Sequence, residues 1–294
     1  MPVSDDSINL QDASQVVDLF HAAAEANRNT STRTGSLVDL PARGSMIVTG
    51  DMHDHRDNFN KSVKLARLAR SADNHLVLQE VVHGANLVNG MDFSYRMLAQ
   101  SARLKLEFPE QVHHLLSNHE LAQVYGMGIL KDSISVVDAF DEGLAYVFGE
   151  DAEQVAAAMA AFVKSMALAL RTGNGILVAH SLPTPRKAEV FDPDVLHRSL
   201  TEHDMTHEDG SAHLMVWGRN LTQEWADVLA EKWNVRLFLL GHQHADMGYE
   251  ECGDTMLILN SDHTHGVALP VDLANQELTR DGLAFDVLPL NAIV

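Results

Sequence analysis

The sequence predicts an α/β protein, and three observations carry that expectation. Short apolar runs alternate with longer amphipathic stretches. Polar residues able to bind metal follow the apolar runs one after another, as at the strand tips of a mostly parallel sheet. From Thr255 onward the pattern changes to short alternating segments separated by turn residues, which predicts antiparallel strands at the C-terminus.

The elements follow in order. Val16, Val17, Leu19, Phe20 and Ala23 recur at helical spacing between Asp12 and Ala26, and "NRNTSTRTGS" breaks the pattern. Residues 1–44 are therefore expected to form an N-terminal helical extension, packed on a main domain at 45–294. In that domain "SMIVTG", "NHLVLQE", "QVHHLLS", "GILVAHS" and "VRLFLLGH" read as strands, with helices between them at about 57–71, 91–107, 119–128, 151–171 and 221–233. The stretch "EQVAAAMAAFVKSMALALR" is apolar, but Lys164 interrupts it and its Ala and Met content suits a core helix rather than a membrane span. At the C-terminus "TMLILNSD", "GVALPVDL", "QELTR" and "LAFDVLPL" are the strand candidates.

Composition narrows the function. The chain has 294 residues, 46% apolar, enough for a sizeable core as one large domain or two smaller ones. With 21 Lys and Arg against 41 Asp and Glu, its formal charge of −20 disfavours nucleic acid and anionic membranes as partners. The single Cys252 rules out an intramolecular disulfide and suits a reducing compartment. The N-terminus lacks a signal-peptide pattern, and a soluble, cytoplasmic protein is expected.

The chemistry lies in "TGDMHDH" and the segments that echo it. Asp51 and His53 follow the first apolar run, Glu80 ends the second, Asn118 and His119 follow the third, His180 ends the fourth, and His242 and His244 follow the fifth. A lone histidine after a strand is ordinarily a hydrogen-bonded surface or core residue, and D-x-H triplets arise by chance among 17 histidines. Five ordered occurrences at strand ends are a different matter, because such ends converge on one crevice. Imidazole, carboxylate and amide oxygen suit Mn, Fe or Zn, and the absence of thiolates argues against a structural zinc site.

In these motifs, "GDMHDH", "LQEVVHG", "SNHE", "VAHS" and "GHQH", the chain resembles the calcineurin-like metallophosphoesterases over about residues 46–273. The phosphoprotein phosphatase branch is the most similar, through "NVRLFLLGHQHADMGYE" and "ILNSDHTHGVALPVDL". The resemblance implies a four-layer α/β/β/α sandwich with mixed sheets and two divalent or trivalent transition metal ions. It implies that Asp51, His53 and His244 bind one ion, that Asn118, His180 and His242 bind the other, and that Glu80 bridges them. His119 would help stabilise the transition state and protonate the leaving group while a metal-bridging hydroxide attacks in line.

The chain departs from that pattern at two places. Glu80 stands where the family has Asp, one methylene longer. The second aspartate of G-D-x-x-D is His83, and the arginine that clamps phosphate beside it is Gly84. Arg56, Arg186 and Arg219 are candidates to supply the missing fork, each also readable as an ordinary surface residue. His83 is a candidate substrate-side residue, a hydrogen-bond donor behind the ligands, a partner for His119, or a surface residue. His55, His263 and His265 border the motifs, and His113 and His114 are expected to pack inside their apolar run.

The leading expectation is a phosphomonoesterase acting on a phosphorylated small molecule or a phosphoprotein. A nucleotide phosphodiesterase or dinucleoside polyphosphate hydrolase is the enzymatic alternative, since the clamp is missing. A metal-binding pseudophosphatase, in which Glu80, His83 and Gly84 record lost catalysis, is the third.

Overall fold

The computed structural model describes residues 8–131 and 134–293. Its strands are β1 (Arg33–Thr34), β2 (Leu37–Leu40), β3 (Ser45–Asp51), β4 (Asn74–Gln79), β5 (Val112–Leu115), β6 (Leu130–Lys131), β7 (Ile134–Ser135), β8 (Ala169–Thr172), β9 (Ile176–Ala179), β10 (Leu237–Leu240), β11 (Tyr249–Cys252), β12 (Met256–Leu259), β13 (Val267–Asp272) and β14 (Leu288–Pro289). Its α-helices are α1 (Ala13–Arg28), α2 (Arg56–Ala66), α3 (Tyr95–Glu107), α4 (Asn118–Tyr125), α5 (Val136–Phe148), α6 (Ala152–Val163), α7 (Glu202–Thr206), α8 (Ser211–Trp217), α9 (Gln223–Trp233) and α10 (Arg280–Phe285).

The strands make two mixed sheets, ordered β1-β2-β8-β9-β10-β12-β11 and β14-β13-β3-β4-β5, beside the small hairpin β6-β7. Side-chain alternation explains why they stack. Met46 and Val48, Val77, Ile176 and Val178, Leu237 and Leu239, and Leu257 and Leu259 share one buried core between the sheets. Their neighbours Ile47, Leu76 and Leu78, Leu177 and Ala179, Phe238 and Leu240, and Met256 and Ile258 belong to the core beneath the helices. A strand buried on both faces reads as a continuous apolar run rather than an alternating one, which is why these segments stood out in the sequence. The result is the expected α/β/β/α layering.

Helix α1 runs along α6 and α3, burying all five of the residues that announced it. Phe20 meets Phe162 with ring centroids 5.7 Å apart. The segment after α1 is not only helical, because β2 pairs in parallel with β8 and so joins the larger sheet.

Three expectations are corrected. The helix expected over 151–171 ends at Val163, and Ala169–Thr172 is strand β8, antiparallel to β9. Ala, Leu and Met favour helix intrinsically, but the Asn174-Gly175 step is a strong hairpin turn signal and tertiary pairing overrides propensity. "QELTR" is not a strand, since the Thr279 side chain caps α10 by accepting from the Gly282 N–H. "LAFDVLPL" accordingly divides between α10 and the two-residue β14. "TMLILNSD" forms β12, which pairs antiparallel with β11 but parallel with β10.

Strands β3, β4 and β5 are mutually parallel, as are β9, β10 and β12. An isolated parallel bridge between Asp51 and Asn260 ties the two sheets at their C-terminal edge. The motif residues therefore emerge at one end of the sandwich.

Candidate metal centre

The turns leaving these strands are tight. Five of the nine non-glycine residues with positive φ among those described are His53, Asp54, Glu80, His83 and His242. Such backbone costs of order 1–3 kcal/mol per residue and persists where surrounding structure enforces it, characteristically at functional sites. Gly241 contributes by having no side chain, for a Cβ there would lie 2.5 Å from Asp51 Oδ1 and 2.8 Å from Gln79 Oε1.

Glu80 is the hub. Its Oε1 lies 3.1 Å from His53 Nε2 and 4.0 Å from His119 Nε2, and its Oε2 lies 3.0 Å from His180 Nε2. Asp51 Oδ1 is 3.7 Å from His180 Nδ1 and accepts the His242 backbone N–H at 2.8 Å. Asn118 Oδ1 sits 2.7 Å from His180 Nε2 and 2.8 Å from His242 Nδ1.

Supporting hydrogen bonds aim the imidazoles. His53 Nδ1 donates to the Val82 carbonyl at 2.8 Å, leaving Nε2 turned to Glu80. Gln79 Nε2 donates to the Thr49 carbonyl at 2.9 Å, so its Oε1 faces and accepts from His180 Nδ1, also at 2.9 Å. The Nε2 lone pair of His180 then points at Glu80 and Asn118. An outward imidazole N–H fixed by a carbonyl is how proteins hold a metal-binding histidine. The sequence reading missed Gln79, although it immediately precedes Glu80 in "LQE".

Charge is crowded here. Asp51, Glu80 and Glu120 are all buried, and the ion-pair partners of Asp51 and Glu80 are imidazoles. Burial, then the Glu80 charge, pushes Asp51 up to about 6. The same two causes push Glu120 up to about 7. Burial works against ionised Glu80 as well, but His180 and His119 outweigh it and hold its carboxyl well below the usual range. Burial and the neighbouring His180 lower His242 to about 3, and its Nε2 is buried without a partner.

Oxygen and nitrogen acceptors outnumber donors in this cluster, and a cation is the group that satisfies such a set. Among the described residues two groups have ligand atoms mutually within 4.8 Å, His53 with Glu80 and His119, and Asp51 with Glu80 and His180. Glu80 belongs to both.

The other sequence candidates separate. His244 points away, with 68% of its side chain exposed, its Nε2 2.9 Å from Asp246 Oδ1 and its ring 5.5 Å from that of His263. His83 is fully buried rather than on the surface, with Nδ1 2.9 Å from His119 Nδ1. Arg219 is exposed and close enough for its charge to bear on His242. Arg56 starts α2, with its Nε 3.8 Å from Asp54 Oδ1, and Arg186 lies on an exposed short 3-10 turn, Pro185–Lys187. His55 caps α2, accepting the Asn58 N–H at 3.3 Å. His263 Nε2 is 3.1 Å from the Ala245 carbonyl, and His265 is exposed. His113 and His114 are buried.

Gly84 stands where the resemblance leads one to expect a clamping arginine. A Cβ there would lie 2.6 Å from the Asp54 Cβ and 2.8 Å from the His53 carbonyl oxygen, so this backbone leaves no space for any side chain. Elsewhere, a cavity of about 830 Å³ lined by Arg43, Arg171, Arg236 and Asn174 lies at the opposite end of the large sheet.

The strand tips of this two-sheet sandwich gather carboxylates, imidazoles and an amide oxygen around one shared carboxylate, a set able to hold metal ions. The chain belongs to the calcineurin-like phosphoesterase family, whose profile matches residues 45–246, and it is a phosphoester hydrolase; that family binds a dinuclear metal centre, and this chain has candidate ligands for one. Among solved structures, a protein serine/threonine phosphatase from Saccharomyces cerevisiae superposes with a TM-score of 0.64 at 14% identity, over 88% of this chain and 82% of that one. The cold-active protein-tyrosine phosphatase of a psychrophilic Shewanella species superposes with a TM-score of 0.58 at 13% identity, with the same coverages. At such identity these likenesses show the fold. No curated protein matches the sequence significantly. Among the described residues no helix is long and apolar enough to cross a membrane.

Proposed function

We propose that the chain is a phosphomonoesterase, acting on a phosphorylated small molecule or a phosphoprotein in the cytoplasm, with Mn, Fe or Zn as its metals. The observation that carries this reading is Glu80, common to both ligand groups and so positioned to bridge two ions. In this reading Asp51 and His53 would hold one ion with it and Asn118, His180 and His242 the other, with Asp51 also lying beside His180. His244 would complete the first set by turning from Asp246. Residues 1–44 serve in this reading as an extension to the catalytic domain at 45–294, in keeping with where the family match begins.

Two bound ions supply Lewis acidity and an acidified water. The protein's own groups do the rest. His53 and His180 are held in one tautomer by Val82 and Gln79, so the site needs little reorganisation. His119, in the first turn of α4 with Nε2 on the Glu80 side, would protonate the departing oxygen in this reading. Arg219, whose charge bears on His242, is the guanidinium this reading assigns to the phosphate.

The bare Gly84 position favours a second reading, a phosphodiesterase or dinucleoside polyphosphate hydrolase, whose substrates carry less charge on the reacting phosphorus. Purified protein with Mn²⁺ decides between them: nitrophenyl phosphate should turn over faster than bis(nitrophenyl) phosphate, and His119→Ala should remove the activity. Faster diester turnover selects the second reading. No turnover of either, with at most one ion per chain, selects a pseudophosphatase.

A further inference from the structure

Behind His119 the structure holds a chain of polar groups that the metal centre does not use. His119 Nδ1 faces His83 Nδ1 at 2.9 Å. His83 Nε2 faces Gln123 Oε1 at 2.8 Å, and Gln123 Nε2 donates to Asp141 Oδ1 at 2.7 Å. Gln123 lies one turn beyond His119 on α4 and Asp141 comes from α5, so two helices meet through this chain.

We propose that Gln123 and Asp141 are positioning residues that set the tautomer of His83 and, through it, the direction in which His119 presents its Nε2. The proposal rests on the reading of His119 as the group that protonates the leaving oxygen.

The argument starts from the outer end. A carboxylate only accepts, so Asp141 turns the amide nitrogen of Gln123 toward itself and the amide oxygen inward. That oxygen also only accepts, so His83 must carry hydrogen on Nε2. His83 is fully buried, its ring edge-on to Phe140 at 5.6 Å, an environment that favours neutral imidazole. A neutral ring with hydrogen on Nε2 has its lone pair on Nδ1, and it therefore accepts from His119 Nδ1. With that nitrogen tied back, the other nitrogen of His119 is the one offered to the reacting group. Nε2 does point to the Glu80 side, 4.0 Å from Oε1.

Two facing Nδ1 atoms can share only one hydrogen. Without Gln123 this constraint on the His83 tautomer is lost, and the His119 ring loses the anchor that the constraint fixes. A residue pair with a carboxylate in place of His83 would not need such an outer partner, because a carboxylate has no tautomer to choose.

The test has two readouts on the full chain. Long-range ¹H–¹⁵N spectra of the histidine side chains, with His83 assigned by its loss in His83→Ala, should show His83 protonated on Nε2 and bare on Nδ1. The second readout is turnover of phenyl phosphate, a poor leaving group that needs the proton, against nitrophenyl phosphate, which needs it less, both with Mn²⁺. Gln123→Leu should lower kcat on phenyl phosphate by about tenfold, a fraction of what general acid catalysis contributes. It should also lower the phenyl-to-nitrophenyl ratio, with KM little moved. The double variant Gln123→Glu with Asp141→Asn restores an obligate inward acceptor and an outer donor, and it should recover most of the ratio. Thermal unfolding of each variant, including the exposed Asp141→Asn alone, separates misfolding from misaiming.

Equal losses on both substrates, no loss on either, or a spectrum with His83 protonated on Nδ1 would overturn the proposal. If the unaltered protein hydrolyses no phosphoester, the functional reading fails and the spectrum alone decides the relay.

Discussion

Asp51 Oδ1 accepts the backbone N–H of His242 at 2.8 Å, joining the ends of β3 and β10 across 191 residues of chain. The contact passes over Gly241, where any side chain would strike Asp51. It places a buried carboxylate beside Glu80 and makes the crowding of charge at the strand tips a property of the fold.

Asp51→Asn follows from that crowding. Burial and Glu80 already raise the Asp51 carboxyl to about 6, so its charge is unwelcome until a cation arrives. Activity should fall by more than about 100-fold, the upper range for losing even a supporting partner of a metal ligand. In chelator, the variant should melt higher than the parent, since one of two adjacent buried charges is gone. Calorimetry with and without Mn²⁺ checks both halves.

Arg219→Ala should raise KM for a phosphomonoester by about tenfold, roughly 1.4 kcal/mol of binding, with a smaller change in kcat. Arg186→Ala, on an exposed turn, should stay within about twofold on the same expectation for surface substitutions. Steady-state kinetics on the two variants tests whether Arg219, rather than Arg186, stands in for the side chain Gly84 lacks.

Phe20→Ala tests whether the N-terminal helix is part of the core. Phe20 is fully buried against Phe162, and removing a buried phenyl ring costs about 3–5 kcal/mol. Denaturant unfolding should report a loss of that size.

The acid limit of stability should depend on His114. Both its ring nitrogens are buried without partners, and burial, then Lys105, lowers it to about 3 from an ordinary 6.5. Below pH 6.5 the unfolded chain takes up a proton that the folded chain refuses. Stability from this residue is therefore fully present above about pH 6.5 and declines as pH falls toward 3, by up to about 1.4 kcal/mol per pH unit. Thermal melts of His114→Phe between pH 4 and 7 should show a shallower pH slope than the parent's.

Which parts of this molecule were legible in its sequence follows from burial and from distance along the chain. β3, β4, β5, β9 and β10 stood out because two-sided burial demands unbroken apolar runs. Their tips carried the ligand-type residues, so Glu80 and its neighbours were readable as a group. β8 was hidden because Ala169 and Leu170 suit a helix by propensity, and only pairing with β9 makes them a strand. The pairing of His83 with His119 joins residues whose side chains meet only after α4 docks beside the turn that follows β4. Asp141 went unnoticed because the 3.6-residue pattern of α5 was not recognised. His244 was read as a ligand of the first ion, whereas its side chain turns outward to Asp246, a surface rotamer that no sequence pattern encodes.

The most direct test of the central claim is anomalous scattering from crystals grown with Mn²⁺. The account predicts two peaks about 3.5 to 4 Å apart, astride the Glu80 carboxylate, with Asp51 and His53 on one and Asn118, His180 and His242 on the other. A single peak, or peaks that leave Glu80 unliganded, would contradict it.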